Sequence, residues 1–172
     1  QRIAGAGEEI SIRGVDRPAY ASLNRGYSFY GKVKYDPGED ALHLQARTDP
    51  DAVNRYLAFR ALADREMVRL IADPASSPSE AFTTLFRDLL ADRDNLDRVG
   101  GQGLTIFESV EDEALAHRYR ALFEARQRLL ASIATRHADD LLSLYRSFRA
   151  DPAPAPIPDR IRAMKRRQVK NT

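Results

Sequence analysis

"YSFYGKVKYDPGEDALHLQAR", residues 27–47, is the stretch on which the fold turns. Its first part alternates. Tyr27, Phe29, Gly31, Val33 and Tyr35 fall on one face, and Ser28, Tyr30, Lys32 and Lys34 on the other. Asp36 to Asp40 carries the Pro37-Gly38 pair that punctuates a turn. Leu42, Leu44 and Ala46 then return on one face, so the period of two predicts a β-hairpin. Upstream, "EISIRGV" (9–15) alternates Ile10, Ile12 and, past Gly14, Val15, which gives a third strand. The first 48 residues therefore read as strands.

The aromatics invite a rival reading. Arg25-Gly26-Tyr27-Ser28-Phe29 is close to the opening of an RNA-recognition strand, where bases stack on aromatic rings. That signature sits on the third strand of a βαββαβ module, and only 24 residues precede Arg25. They cannot hold a strand, a helix and another strand. The row is read instead as the inner face of a sandwich, with Arg25 as a structural link near a domain junction.

At Thr48-Asp49-Pro50 the period changes to about 3.6. Asp49 can cap and Pro50 suits the first helical position, which predicts a helix over 50–73. Its expected inner face is Val53, Tyr56, Leu57, Ala63, Met67, Leu70 and Ile71. Ser77-Pro78-Ser79-Glu80 reads as a capping box for a second helix to about Ala91, with Phe82, Leu85, Phe86, Leu89 and Leu90 inward. A glycine loop, "VGGQGLTIF", follows. Residues 111–149 carry a long helical pattern with a break near Arg136 to Asp139. "DPAPAPIP" is a stiff connector, and a basic helix opens after it.

Composition narrows the function. The chain has 172 residues, 43% of them hydrophobic and 30% charged, with 27 basic and 25 acidic side chains. This near balance gives little support to nucleic-acid binding. The absence of Cys excludes disulfides and thiolate metal sites. No apolar run approaches the ~18 residues of a membrane span, and no signal peptide opens the chain. A cytoplasmic protein without membrane or nucleic-acid partners is the expectation.

No catalytic constellation emerges. His43, His117 and His137 are scattered, and none stands in a His-Glu-x-x-His arrangement. Glu113 and His117 are one helical turn apart and read as a solvated pair. Gly100-Gly101-Gln102 resembles the tripeptide of translation release factors, but Leu104, Ile106 and Phe107 follow where a basic loop is needed, so a helix-to-helix turn is the reading. The final run of Arg160, Arg162, Lys165, Arg166, Arg167 and Lys170 reads as the charged face of a helix whose Ile161, Met164 and Val169 form a narrow buried stripe.

Four stretches in order carry a family resemblance: "RPAYASLNRGYSF", "ARTDPDAVNRYLAFRAL", "ALAHRYRALFEARQRLLASIATRHADDLLSLYRS" and "MKRRQVKNT". Together they resemble the C-terminal half of the M1 family of zinc aminopeptidases, in its bacterial aminopeptidase N group. The resemblance implies a fold that is mainly α with a small β part: the last antiparallel strands of an Ig-like β-sandwich (1–48), then the first helices of an α-superhelical, HEAT/armadillo-like array (49–172). It also implies zinc in the parent enzyme, held by a His-Glu-x-x-His helix and a later Glu, with a Gly-x-Met-Glu-Asn loop for the substrate amine. These belong to an upstream catalytic domain, and none occurs in this chain. No catalytic, substrate-binding or metal residue is therefore assigned. The chain opens on Gln1 and stops inside a helical pattern, so the expectation is an excised, inactive portion. Its partners are then the upstream catalytic domain and downstream helices of the same protein, with a homodimer through exposed edges as a further expectation. A free-standing helical interaction module is the alternative, and a nucleic-acid-binding domain stands behind it.

Overall fold

The computed structural model describes residues 13–14, 16, 19–31, 33, 35–148 and 156–169. The expected strand at 9–15 lies outside them except for Arg13 and Gly14, as do Lys32 and Lys34. Among the described residues there is no strand. Seven α-helices follow in order: α1 (Glu39–Thr48), α2 (Ala52–Ala72), α3 (Glu80–Ala91), α4 (Arg93–Val99), α5 (Tyr119–Arg136), α6 (Ala138–Ser147) and α7 (Ile157–Val169). Short 3-10 turns lie at Arg25–Tyr27, Gly101–Leu104 and Glu113–Leu115.

The expected end of an Ig-like β-sandwich is thus overturned where the chain is described, and the reason lies in residues 38–48. Leu42 and Ala46 are spaced to fit one face of a strand and also one face of a helix. Both are buried, together with Gln45, while Leu44 is 40% exposed. That is a period of 3.6. The intervening Glu, Ala, Gln and Arg are good helix formers, and no β-branched residue appears before Thr48. Gly38, taken as the turn, is the N-cap, and Glu39 and Asp40 put carboxylates in the first turn, where the helix dipole favours them. With its return strand gone, the described part of the row over 27–35 has no strand among the described residues to pair with. Phe29, Val33 and Tyr35 are each more than 40% exposed, and Tyr30 is fully exposed.

The two following helices begin two residues later than the sequence reading predicts. Asp51 caps α2, its Oδ1 accepting from the N–H groups of Val53 (2.9 Å) and Asn54 (3.1 Å). Ser79 caps α3, its Oγ accepting from Phe82 N–H at 3.2 Å. In both places the proline precedes the cap. Both helices end close to where they were expected, at Ala72 and Ala91.

α1 packs along α2, and α2 and α3 both rest on α5. Phe59 of α2 stacks on Phe82 of α3, with ring centroids 5.7 Å apart, and meets Phe86 at 6.1 Å. All five residues expected inward on α3 are buried. On α2, Ala63, Met67, Leu70 and Ile71 are buried as expected, but Phe59 and Leu62 take the places given to Val53, Tyr56 and Leu57. α4 was not foreseen; Asp92 caps it through Asn95 N–H (3.0 Å), and Gly100 ends it with φ +74°. The predicted break falls at His137, between α5 and α6. α7 returns to pack on α4 and the Gly101–Leu104 turn.

Candidate functional site

Residues 19–31 do not pair as a strand. They wrap the start of α2 through a chain of polar contacts. Asn54 Nδ2 donates to Ser22 Oγ (3.0 Å) and to Leu23 O (2.9 Å). Ser22 Oγ donates onward to Asp49 Oδ1 at 2.9 Å. Asp49 is only 2% exposed, yet it also accepts from Asp51 N–H (2.9 Å) and Gln45 Nε2 (3.1 Å), so its buried carboxylate is satisfied. Gly26 N–H donates to Asp51 Oδ2 at 2.9 Å. That bond, then the one from Asn54 N–H, holds the Asp51 carboxyl below the usual carboxylate range. Asn24 supports the turn at φ +49°, its Oδ1 accepting from Phe29 N–H at 3.0 Å. Arg25 itself is exposed and contributes its charge to Asp51. Among the described residues no buried partner holds Arg25 as the structural link it was expected to be.

One residue later on α2, Arg55 joins three helices. Its Nε donates to Ala46 O of α1 (2.9 Å), and its Nη2 pairs with Asp92 Oδ2 at the head of α4 (2.5 Å). Burial pushes the Asp92 carboxyl up, but Asn95 N–H and Arg55 outweigh it and hold its pKa down.

Between residues 21–37, α1, α2 and residues 110–112 lies a groove of about 840 Å³. Val53, Leu57, Ala61, Val68 and Val110 give it an apolar lining. Among the described residues, its charged lining is Asp36, Asp64, Glu111 and Asp112, with the Arg65 guanidinium. Arg65 fastens one wall by pairing with Asp36 (2.5 Å) and donating to Pro37 O (3.0 Å). Arg60 fastens the other, bonding Asp64 (2.9 Å) and Ser109 O and lying 4.7 Å from the centre of the Phe107 ring. Burial raises the pKa of Asp64, and neither Arg60 nor Glu111 N–H cancels the effect. Sequence reasoning missed this groove because its lining comes from four separate segments. The one available signal was Leu57, which was expected to face the core and instead is 50% exposed.

The candidates singled out in the sequence stay apart. His43 lies on α1, its Nε2 3.8 Å from Glu39 Oε1; burial, then Arg47, holds its pKa below the ordinary value. His117 is exposed outside any helix, and Glu113 belongs to a 3-10 turn, so they are not a turn apart on one helix. His137 marks the α5–α6 break. Among the described residues no group of three or more His, Asp or Glu could hold a metal ion, so a zinc site does not fit here. No helix among them is long and apolar enough to cross a membrane. Gly100 to Gln102 forms a packed turn with Gly101 buried; a Cβ on Gly100 would lie 3.0 Å from Gln168 Oε1. In the basic run, Lys165 Nζ donates to Asp97 O (2.9 Å) and Arg98 O, and Arg166 pairs with Asp97 (3.1 Å), so these two cations cap the end of α4. The buried stripe expected on this helix is corrected. Val169 is buried, with Ala163, but Ile161 and Met164 are each 47% exposed.

A family model described as "Domain of unknown function (DUF3458_C) ARM repeats" matches residues 39–172. The chain belongs to the DUF3458_C ARM-repeat family. The match begins at the first residue of α1, where the sequence reading had placed a returning strand. Within this DUF3458_C domain, Asp51, Asn54 and Arg55 tie the start of α2 to residues 22–26, to α1 and to α4. No curated protein matches the chain. Among solved structures, Legionella pneumophila aminopeptidase A in complex with aspartic acid matches with a TM-score of 0.61 at 17% identity. The match covers 86% of this chain and 18% of that one. At such identity it speaks to the fold. The resemblance to the C-terminal half of an M1-family aminopeptidase is borne out in the helical fold over 39–172.

Proposed function

We propose that this DUF3458_C domain is a non-catalytic part of a zinc aminopeptidase, forming the start of a helical cover that limits access to an active site held elsewhere in the protein. The observation that carries the reading is the fold match, which takes in most of this chain but under a fifth of an aminopeptidase. The ARM-repeat description supports it, since stacked helix pairs build extended walls rather than reaction centres. The scattered histidines fit a domain that leaves metal chemistry to a neighbour. Exposed apolar side chains on the outer faces of α5 and α6, among them Phe123, Leu142 and Tyr145, suit the stacking of further helices of the same protein. A cytoplasmic setting goes with a chain that has no cysteine.

The test is direct. The purified 172-residue chain, measured by metal analysis and with aminoacyl-anilide substrates, is expected to carry no stoichiometric zinc and to release no chromophore. Stoichiometric zinc, or hydrolysis that survives repurification, overturns the reading.

A further inference from the structure

Among the described residues, none of the side chains over 19–31 is buried; Leu23 is 39% exposed, Phe29 47%, and Tyr30 fully. What ties this stretch to the helices is polar and lies in one place. Tyr20 Oη shares a hydrogen bond with Thr48 Oγ1 (3.2 Å), and Ser22 Oγ donates to Asp49. Asn54 Nδ2 donates to Ser22 Oγ and Leu23 O, and Gly26 N–H donates to Asp51. All four partners, Thr48, Asp49, Asp51 and Asn54, sit at the corner between α1 and α2. The one further bond of this stretch among the described residues runs from Ala21 N–H to Tyr35 Oη (3.2 Å), outside the helices. Residues 24–29 also hold a shape of their own. Asn24 Nδ2 donates to Phe29 O (3.2 Å), and its Oδ1 accepts from Phe29 N–H (3.0 Å) and Ser28 Oγ (3.3 Å). A stretch with internal bonds, few apolar contacts and one polar anchorage opens at a lower free energy than the core around it. The cap of α2 survives such an opening, because Asp51 Oδ1 serves Val53 and Asn54 while Oδ2 serves Gly26.

We propose that residues 19–31 form a strap that opens and closes as one unit, latched by Ser22, Asn54 and Asp51, while the helices stay folded. Ala21, Leu23, Asn24 and Gly31 line the groove from the strap, and Val53 and Leu57 line it from α2. When the strap leaves, that wall of the groove goes with it and the α2 side is open to water. Access to this apolar face is then governed by the latch rather than by unfolding. This goes beyond the aminopeptidase reading and does not rest on it.

The test is amide hydrogen exchange of the 172-residue chain, followed by NMR at several urea concentrations below the unfolding transition. The reporter is the Gly26 amide, and the reference is the amide of Leu85, which is 0% exposed on α3. In the unaltered chain Gly26 is expected to be protected, to exchange faster than Leu85, and to respond little to urea, as local opening exposes little surface. Ser22→Ala removes both bonds of the Ser22 hydroxyl from the strap side, and Asn54→Ala removes two from the α2 side. Neither change deletes the bond of Gly26 itself, so only a strap that opens as one passes the loss on to it. Each variant is expected to speed Gly26 exchange by about tenfold, as the loss of two hydrogen bonds gives. Should Asn54→Ala fail to fold, Ser22→Ala carries the test alone, since Ser22 lies outside the helices. A Gly26 amide with no protection, one whose urea dependence equals that of Leu85, or one unchanged in either folded variant overturns the proposal.

Discussion

Asp51 carries three backbone hydrogen bonds on one carboxylate: two cap α2 and one holds the Gly26 turn. Asp51→Ala is expected to cost about 0.5–2 kcal/mol, in the range of a lost N-cap. Asp51→Asn, which keeps an acceptor, is expected to cost less. Urea unfolding of the three proteins checks the order. The acid side follows from the same residues. Asp92 has its folded pKa lowered, because Asn95 N–H and Arg55 outweigh burial. The unfolded chain therefore takes up its proton first, and the stability Asp92 supplies above the ordinary carboxylate pKa is lost as pH falls through the folded value. Asp64 has the opposite sign, since burial raises its folded pKa. It takes up its proton earlier in the folded state and offsets part of that loss. Asp92→Asn is thus expected to flatten the decline in stability from neutral pH down through the carboxylate range, and Asp64→Asn to steepen it. Equal slopes for both variants would remove this account.

At the level of the helix, the faces matter more than the ends. The sequence reading placed Leu57 inward, but Leu57 is half exposed and the neighbouring Leu62 is 2% exposed. Leu62→Ala is expected to destabilise by about 2–5 kcal/mol through lost contacts and the cavity left behind. Leu57→Ala is expected to stay within about 0.5 kcal/mol, as surface changes do. Thermal or urea melts of the pair decide between the two faces. On α3 the assignment was legible because Phe82, Leu85, Phe86, Leu89 and Leu90 leave no competing face. On α2 apolar residues occur all round the first two turns, and only the neighbours α1 and α5 select which are covered. Asp49-Pro50-Asp51 and Ser77-Pro78-Ser79 each offer two capping side chains, one on either side of a proline. The choice at the first falls to Asp51 because Asp49 is drawn into the bonds with Ser22 and Gln45.

The whole chain spans 18% of the aminopeptidase whose fold it shares. The proposed function therefore predicts that the reading frame encodes a His-Glu-x-x-His sequence on the N-terminal side of Gln1. A frame without one would leave the helical domain as an interaction module in its own right. Arg55 is the residue by which the body of this domain is tested. It joins α1, α2 and α4, and Arg55→Ala leaves the part-buried Asp92 without its cation. A loss of about 1–3 kcal/mol is expected, the range for hydrogen bonds to charged groups.

By itself the sequence determined the helical character from Asp49 onward, the core face of α3, the break near His137 and the lack of a His-Glu-x-x-His motif. These rest on local spacing, which a linear chain displays in full. Only the tertiary structure decided the state of residues 39–48, the exposed face of α7 and the existence of the groove. Leu42 and Ala46 satisfy a strand and a helix equally well, and burial against α2 breaks the tie. The α7 stripe has the right period for a core, but its other face meets α4, so Ile161 and Met164 are left facing water. The groove joins side chains from four segments far apart in the chain, a juxtaposition that no local pattern encodes.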